Sequence, residues 1–156
     1  MATTYWLLVG TQGNFRKSRE MGFTVQGVKS RHRGKAEKMR PGDRVMFYVT
    51  GVQAFAGTAT IASTYWEEHT PVWTSEKKGE DYPWRFKVKP DVLLDEKDFM
   101  PAAEWATKLT YVRKWPPAHW RLAFQGNVHV IPEGDFAALE SAMSRLAGKQ
   151  PAGRRA

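Results

Sequence analysis

Residues 41–64 read PGDRVMFYVTGVQAFAGTATIAST and contain two apolar runs separated by a short polar stretch. The leading Pro-Gly-Asp is typical of a tight turn, because Pro restricts φ and Gly tolerates conformations that other residues avoid. The two runs, 44–50 and 55–64, flank Gly51-Val52-Gln53, which favours an antiparallel connection. This stretch therefore predicts a β-hairpin in the middle of the chain.

Four further segments have the apolar, β-branched or alternating patterns of short strands. They are residues 5–9, 23–28, 84–88 and 128–131. Residues 65–82 are irregular, polar and aromatic, which predicts a long loop after the hairpin.

Helical patterns occur between the predicted strands. Asn14 is expected to cap a short helix that ends near Met21. Helical spacing of apolar residues or a short apolar turn is also found at residues 99–115, 120–124 and 135–146. Five to six short strands with helices between them predict an α+β domain, built as a small twisted barrel with peripheral helices.

The size and composition of the chain fit one domain. With 156 residues and 42% hydrophobic content, the chain is long enough and apolar enough to bury a core. We expect a single domain over residues 1–147 and a basic, disordered tail over 148–156. A signal-peptide pattern and an apolar run of roughly 18 residues are both missing, so we expect a cytoplasmic protein with no membrane partner. No pattern indicates the oligomeric state.

The sequence lacks the common signatures of catalysis and metal binding. Absence of cysteine excludes disulfides, thiolate metal sites and a cysteine nucleophile. The four histidines do not have metal-ligand spacing, and the Walker, GxGxxG and GxSxG patterns are missing. We therefore expect no metal, no cofactor and no catalytic residue. Two alternatives stay open: an enzyme for a nucleotide or small anion that uses His32 or His129 as acid or base, and a protein-interaction module with exposed aromatics.

Basic and aromatic residues are unusually prominent. The formal net charge is +8, and residues 26–40, QGVKSRHRGKAEKMR, contain six Lys and Arg residues against Glu37 alone. Trp73 and Tyr82 lie in the polar loop, although 13% aromatic content mostly serves a core. Basic side chains beside exposed rings predict nucleic-acid binding through phosphates and base stacking. The alternatives are a merely solvated basic surface and a Trp73 that packs back onto the barrel.

Several short segments follow one another in a distinctive order. They are YWLLV, Asn14-Phe15, FTVQGVKSRHR, PGDRVMFYVT, FAGTATIAS, PVW, YPWR and IPEGDF. This order resembles the EVE domain family, small PUA-like proteins similar in fold to the YTH domains that read N6-methyladenine in RNA. The resemblance covers residues 5–146 and implies a PUA-like bent β-barrel with a pocket for a base flipped out of its strand.

The resemblance further implies a non-catalytic reader of a methylated or hydroxymethylated base in DNA or RNA. Its pocket positions correspond here to Thr11, Asn14, Phe15, Gln26, Gly27 and Trp73. Trp73 is the implied stacking wall, and Asn14 and Gln26 face the base edge. Related domains often have Trp at the position of Gln26, so one aromatic wall is missing here. Either Gln26 hydrogen-bonds the base, or Phe15 or Phe55 closes the pocket.

The implied phosphate contacts follow directly after the pocket segment. They are Lys29, Arg31, His32 and Arg33, with Arg85 as a further candidate. For Arg85 the alternative is an ion pair with an acid such as Asp43.

Overall fold

One mixed sheet, curled into a half-barrel, forms the body of the molecule. A computed structural model describes residues 2–75 and 79–147. The main strands are β1 (Tyr5–Gly10), β2 (Val25–Val28), β3 (Arg44–Val49), β4 (Ala54–Ile61), β6 (Trp84–Leu93) and β8 (Val128–Val130), and the two-residue strands are β5 (Trp66–Glu67) and β7 (Met100–Pro101). The main strands lie in the order β2-β6-β4-β3-β1-β8. β1 and β3 run parallel, and every other neighbouring pair in this order is antiparallel.

Helices cover the two faces and the ends of the sheet. The α-helices are α1 (Gln12–Glu20), α2 (Arg33–Ala36) and α3 (Glu133–Ala147). Short 3₁₀ turns comprise Ser30–His32, Glu96–Asp98, Ala102–Glu104, Thr110–Lys114 and Pro117–Phe124.

The sheet separates two apolar cores. Successive side chains of a strand point to opposite faces, so Trp6 and Leu8 join a core with Phe15 of α1. Leu7 and Val9 join the other core, to which α3 contributes Phe136, Leu139 and Met143. This double burial is the reason that every position of YWLLV is apolar.

The predicted α+β fold is confirmed, and its sheet is a curled half-barrel that contains all six predicted strands. The hairpin of β3 and β4 and the last helix are confirmed, and the helical turn predicted at 120–124 lies within the 3₁₀ turn Pro117–Phe124. Of the predicted loop, residues 65–75 and 79–82 are described and form a loop apart from β5, and β6 continues to Leu93, beyond the predicted end at 88.

The predicted helix at 99–115 is wrong. This segment contains β7 and the two 3₁₀ turns Ala102–Glu104 and Thr110–Lys114. Leu109 is extended, and the N–H groups of Thr110 and Tyr111 donate to the carboxylate of Asp135 at 3.0 and 2.8 Å. These N–H groups therefore do not continue a helix, although Leu109 and Val112 are buried as the spacing suggested.

Within residues 2–75 and 79–147, no helix combines the length and apolar character that a membrane crossing needs. The same residues contain no group of three or more His, Cys, Asp or Glu side chains placed to hold a metal ion. The predicted tail, 148–156, lies outside the described residues.

Candidate nucleic-acid interface

A small cavity lies between α1, the ends of β1 and β2, and the loop after β5. Its volume is about 40 Å³. The structure brings together around it all the residues predicted for the base pocket: Thr11, Asn14, Phe15, Gln26, Gly27 and Trp73. The cavity wall also includes Ser18, Tyr82 and Asn127, which the sequence prediction missed.

The start of α1 positions one side of the cavity. Thr11 is extended, and its side-chain oxygen accepts a hydrogen bond from the Asn14 N–H at 3.1 Å. Thr11 is therefore the N-cap, and the prediction that Asn14 caps this helix is wrong. Capping at Thr11 starts the helix earlier, so that Asn14, Phe15 and Ser18 share its buried face.

Trp73 forms a wall of the cavity and is only 7% exposed. Its indole Nε1 donates to the Ser18 hydroxyl oxygen at 2.9 Å. The ring packs against the backbone of β2 at Gly27, where an added Cβ would lie 2.7 Å from Trp73 Cζ3. The close approach of the Trp73 ring therefore requires glycine at position 27.

Gln26 contributes an amide to the cavity wall. Its Nε2 donates to the same Ser18 oxygen at 2.7 Å. Its Oε1 has no hydrogen-bond partner among the described residues, although the side chain is only 7% exposed. This oxygen is therefore available to a donor group placed in the cavity.

Asn14 connects the helix to the loop. Its Nδ2 donates to the Thr74 carbonyl at 2.8 Å and to the Tyr82 hydroxyl at 3.2 Å, and its Oδ1 accepts from the Thr74 N–H at 2.9 Å. Both amide hydrogens are therefore already used. In this arrangement Asn14 positions Thr74 and Tyr82, while Gln26 retains an acceptor for a ligand.

Tyr82 borders both the cavity and a larger outer groove. The groove has a volume of about 210 Å³ and shares Thr11 and Tyr82 with the cavity. Lys29 lines the groove, and its Nζ lies 5.9 Å from the centre of the Tyr82 ring. Burial raises the pKa of the Tyr82 hydroxyl, so it stays protonated at neutral pH. The only signal for Tyr82 in the sequence is an aromatic residue in a polar loop.

The predicted phosphate contacts near the groove are accessible but partly paired. Glu80 lies 3.2 Å from Lys29 Nζ and 3.7 Å from Arg31 Nε. Arg33 pairs with Glu37 at 3.1 Å. Arg31 and Arg33 are exposed, and Lys29 and His32 are half-buried. Lys29 lines the outer groove, and Arg31, His32 and Arg33 follow it along the Ser30–His32 turn and α2. We call these four side chains the rim.

Arg85 does not lie where it could contact phosphate. The residue is 4% exposed, and its guanidinium donates to the carbonyls of Thr70 and Tyr82 and to Glu68. The alternative partner, Asp43, is also wrong, because that carboxylate accepts from the Trp6 indole and from backbone N–H groups. Arg85 instead holds the loop, with its guanidinium carbon 5.2 Å from the centre of the Trp73 ring.

Comparison with known proteins identifies the family of this chain. The EVE domain model matches residues 4–141. The chain belongs to the EVE domain family. A UPF0310 protein of Pyrococcus abyssi is 27% identical over 147 residues, which cover 88% of this chain and 98% of that protein.

Solved structures similar to this EVE domain include YTH domains. The Mmi1 YTH domain has a TM-score of 0.65 at 10% identity, covering 95% of this chain and 100% of that one. The YTH domain of the Zygosaccharomyces rouxii MRB1 protein, solved in complex with N6-methyladenosine RNA, has a TM-score of 0.63 at 15% identity, covering 90% and 86%. At these identities the likeness shows a shared YTH-like fold.

The histidines of this EVE domain do not favour the enzyme alternative. His32 Nε2 accepts from Arg31 Nε at 3.3 Å, and His129 Nε2 contacts the Gln125 carbonyl. Partial burial, with the charges of Lys35 and Arg31, lowers the pKa of His32 to about 4. Neither ring has a carboxylate partner within residues 2–75 and 79–147. Neither His32 nor His129 is therefore a general base oriented by an acid.

Proposed function

We propose that this EVE domain is a non-catalytic nucleic-acid-binding module that takes a methylated or hydroxymethylated base into the cavity. The observation that carries the proposal is the assembly of all the predicted pocket residues around one cavity beside a basic rim. Trp73 and Phe15 offer aromatic surface to the faces of a base, and the Gln26 oxygen accepts from its edge.

The cavity is too small to take a base without a change in its walls. A volume of about 40 Å³ is well below the roughly 300–1,000 Å³ of typical small-molecule sites. A wall must therefore move before a base is inserted. Tyr82 borders both the cavity and the outer groove, so outward rotation of its ring joins the two spaces. This rotation breaks the weaker, 3.2 Å hydrogen bond from Asn14 and leaves the 2.8 Å bond to Thr74 in place.

The related structures support the nucleic-acid part of the proposal. One YTH domain of this fold was solved with N6-methyladenosine RNA. The binding experiment distinguishes DNA from RNA and identifies the modification.

The test compares labelled oligonucleotides that differ only in one base. Single-stranded DNA and RNA carrying 5-methylcytosine, 5-hydroxymethylcytosine or N6-methyladenine are titrated against their unmodified counterparts, with anisotropy as the readout. We expect at least one modified strand to bind more tightly. Trp73→Ala should remove that difference, a loss of about five- to 150-fold for a stacking contribution of about 1–3 kcal/mol.

Two further variants control for folding. Trp73→Phe keeps an aromatic ring and should retain part of the preference for the modified strand. Trp105→Ala removes a partly buried ring that packs on the core beside α3, and this variant should keep the full preference. Equal affinity for modified and unmodified strands across the whole panel contradicts the proposal.

A further inference from the structure

A second group of basic side chains lies beyond the rim, contributed by three separate elements. Lys35 of α2 reaches β8, where its Nζ donates to the Val128 carbonyl at 2.7 Å. His129 is the next residue of β8, and its ring centre lies 6.1 Å from that of Tyr111. Lys114 places its Nζ 5.7 Å from the same Tyr111 ring. The fold thereby assembles Lys35, His129 and Lys114, which are far apart in the sequence.

This group is continuous with the rim. His32 lies within the electrostatic reach of Lys29, Arg31, Lys35 and His129, and His129 within that of Lys35 and Lys114. Glu80 partly neutralises Lys29 and Arg31. In the described part of the chain, neither Lys35 nor Lys114 forms an ion pair with a carboxylate. Carboxylates therefore neutralise the positive charge least at the β8 end of this basic group.

We propose that Lys35, His129 and Lys114 form a phosphate-binding site that continues the pocket rim. The proposal rests on the proposed function in one respect: a strand whose base occupies the cavity would place neighbouring phosphates across β8. Two ammonium groups supply positive charge and hydrogen-bond donors to phosphate oxygens, and the imidazole adds a further N–H donor. Lys114 is exposed and Lys35 and His129 are half-buried, so the site is accessible to a strand.

We expect His32 and His129 to take up protons when phosphate binds. Burial and the nearby cations lower the pKa of His32 to about 4, and burial lowers the pKa of His129. Both rings are therefore largely neutral near pH 7. A bound phosphate adds the opposite charge and raises both pKa values, so the complex holds more protons than the free protein. Affinity should then increase as pH falls, by up to about tenfold per pH unit for each proton taken up.

The first experiment uses inorganic tripolyphosphate, which has no base. The Hε1 resonances of all four histidines are followed by NMR against pH, with and without this anion. We expect the pKa values of His32 and His129 to rise by at least about half a unit, a roughly threefold change in each protonation constant. His119 serves as the internal reference. Unchanged titration of both His32 and His129 at saturating tripolyphosphate would overturn the proposal.

The second experiment measures affinity for unmodified single-stranded oligothymidylate against salt. Lys114→Gln should weaken binding about three- to tenfold at low salt and reduce the slope of log affinity against log salt by about 0.7. The matched control is Lys108→Gln, because both lysines lie over a Trp ring. Lys108 Nζ lies 5.2 Å from the centre of the Trp105 ring, and Lys114 Nζ lies 6.0 Å from the centre of the Trp115 ring. Both variants lose one charge, but Trp105 borders a different groove, beside the end of α3.

The outcomes separate this site from the proposed reader function. An equal loss of affinity in the Lys114 and Lys108 variants means attraction by net charge alone, which overturns the site and leaves base recognition untouched. A specific effect of Lys114→Gln without any preference for modified strands supports the phosphate site and contradicts the reader.

Discussion

Two opposing sides of the cavity are held in different ways. The helix–strand wall consists of α1 and β2, and the backbone of β2 pairs with β6 at Gln26↔Phe86 and Gly27↔Arg85. The loop wall consists of residues 70–75 and 79–82, and side chains from outside the loop hold it. Asn14 binds Thr74, Ser18 accepts from Trp73, and Arg85 donates to the carbonyls at both ends.

This difference indicates which wall moves when a base is inserted. Opening the helix–strand wall requires breaking a backbone ladder and exposing the core around Phe15 and Phe86. Opening the loop wall requires breaking a few side-chain hydrogen bonds, each with a net value of about 1 kcal/mol, and the backbone hydrogen bond from the Ser30 N–H to the Asp81 carbonyl at 3.1 Å. The loop wall should therefore open at a lower free energy than global unfolding.

The largest expected effect comes from removing the anchor of the loop wall. Arg85→Met deletes the hydrogen bonds to Thr70, Tyr82 and Glu68 and leaves two carbonyls without their donor. We expect the free energy of unfolding to fall by about 2–4 kcal/mol, measured by urea denaturation. Trp73 should become more accessible to a fluorescence quencher.

The control for Arg85 is an arginine with an exposed ion pair. Arg16 bonds to Glu96 at 2.7 Å with 56% of its side chain exposed, so Arg16→Met should change stability much less. If the two variants are equally stable, Arg85 does not anchor the loop wall.

A smaller effect is expected where the two walls touch. Gly27→Ala places a methyl group 2.7 Å from the Trp73 ring, so the ring or β2 must shift. We expect a loss of about 1–3 kcal/mol in unfolding free energy and a changed Trp73 emission.

Gly34 is the matched control, because an added Cβ there meets nothing within 4 Å. In α2, Gly34→Ala should be neutral or stabilising by up to about 1 kcal/mol. A Gly27→Ala variant as stable as the Gly34 variant, with unchanged Trp73 emission, would falsify the tight contact between the walls.

The smallest effect is a pH dependence of the loop wall. His69 bridges Glu67 and Asp81 at 2.8 and 2.7 Å, and these hydrogen bonds, Glu67 first, raise the pKa of the imidazole. The stabilisation is therefore fully present below the ordinary value near 6.5 and is lost as pH rises through the raised value. Hydrogen exchange of loop-wall amides, corrected for intrinsic rates, should become faster above that pH.

His69→Gln should abolish this dependence, with His119→Gln as the exposed control. His32 and His129 act in the opposite direction: their lowered pKa values contribute stability above pH 6.5 that is lost as pH falls. A loop-wall exchange profile that is the same with and without His69 contradicts the bridge.

Much of the site could be predicted, but not the bonds within it. The family resemblance implied that Thr11, Gln26 and Trp73 share a pocket, and all three line one cavity in the structure. The sequence misassigned the cap of α1, because Thr11 and Asn14 are both good N-cap residues and only the backbone distinguishes them. It also left Arg85 free for phosphate, since nothing local in YPWR reveals the carbonyls of a loop that folds over the guanidinium.

The sequence by itself determined the strands, the last helix, the basic run and the family. These features depend on local periodicity, turn residues and the order of segments, all of which are present in the chain before it folds. Tertiary structure alone decided the parallel pairing of β1 with β3, the commitment of Asn14 to Thr74 and Tyr82, and the meeting of Lys35, His129 and Lys114 across β8. The physical reason is that a hydrogen bond or a charge cluster depends on which distant segments meet, whereas periodicity reports only that a segment is buried.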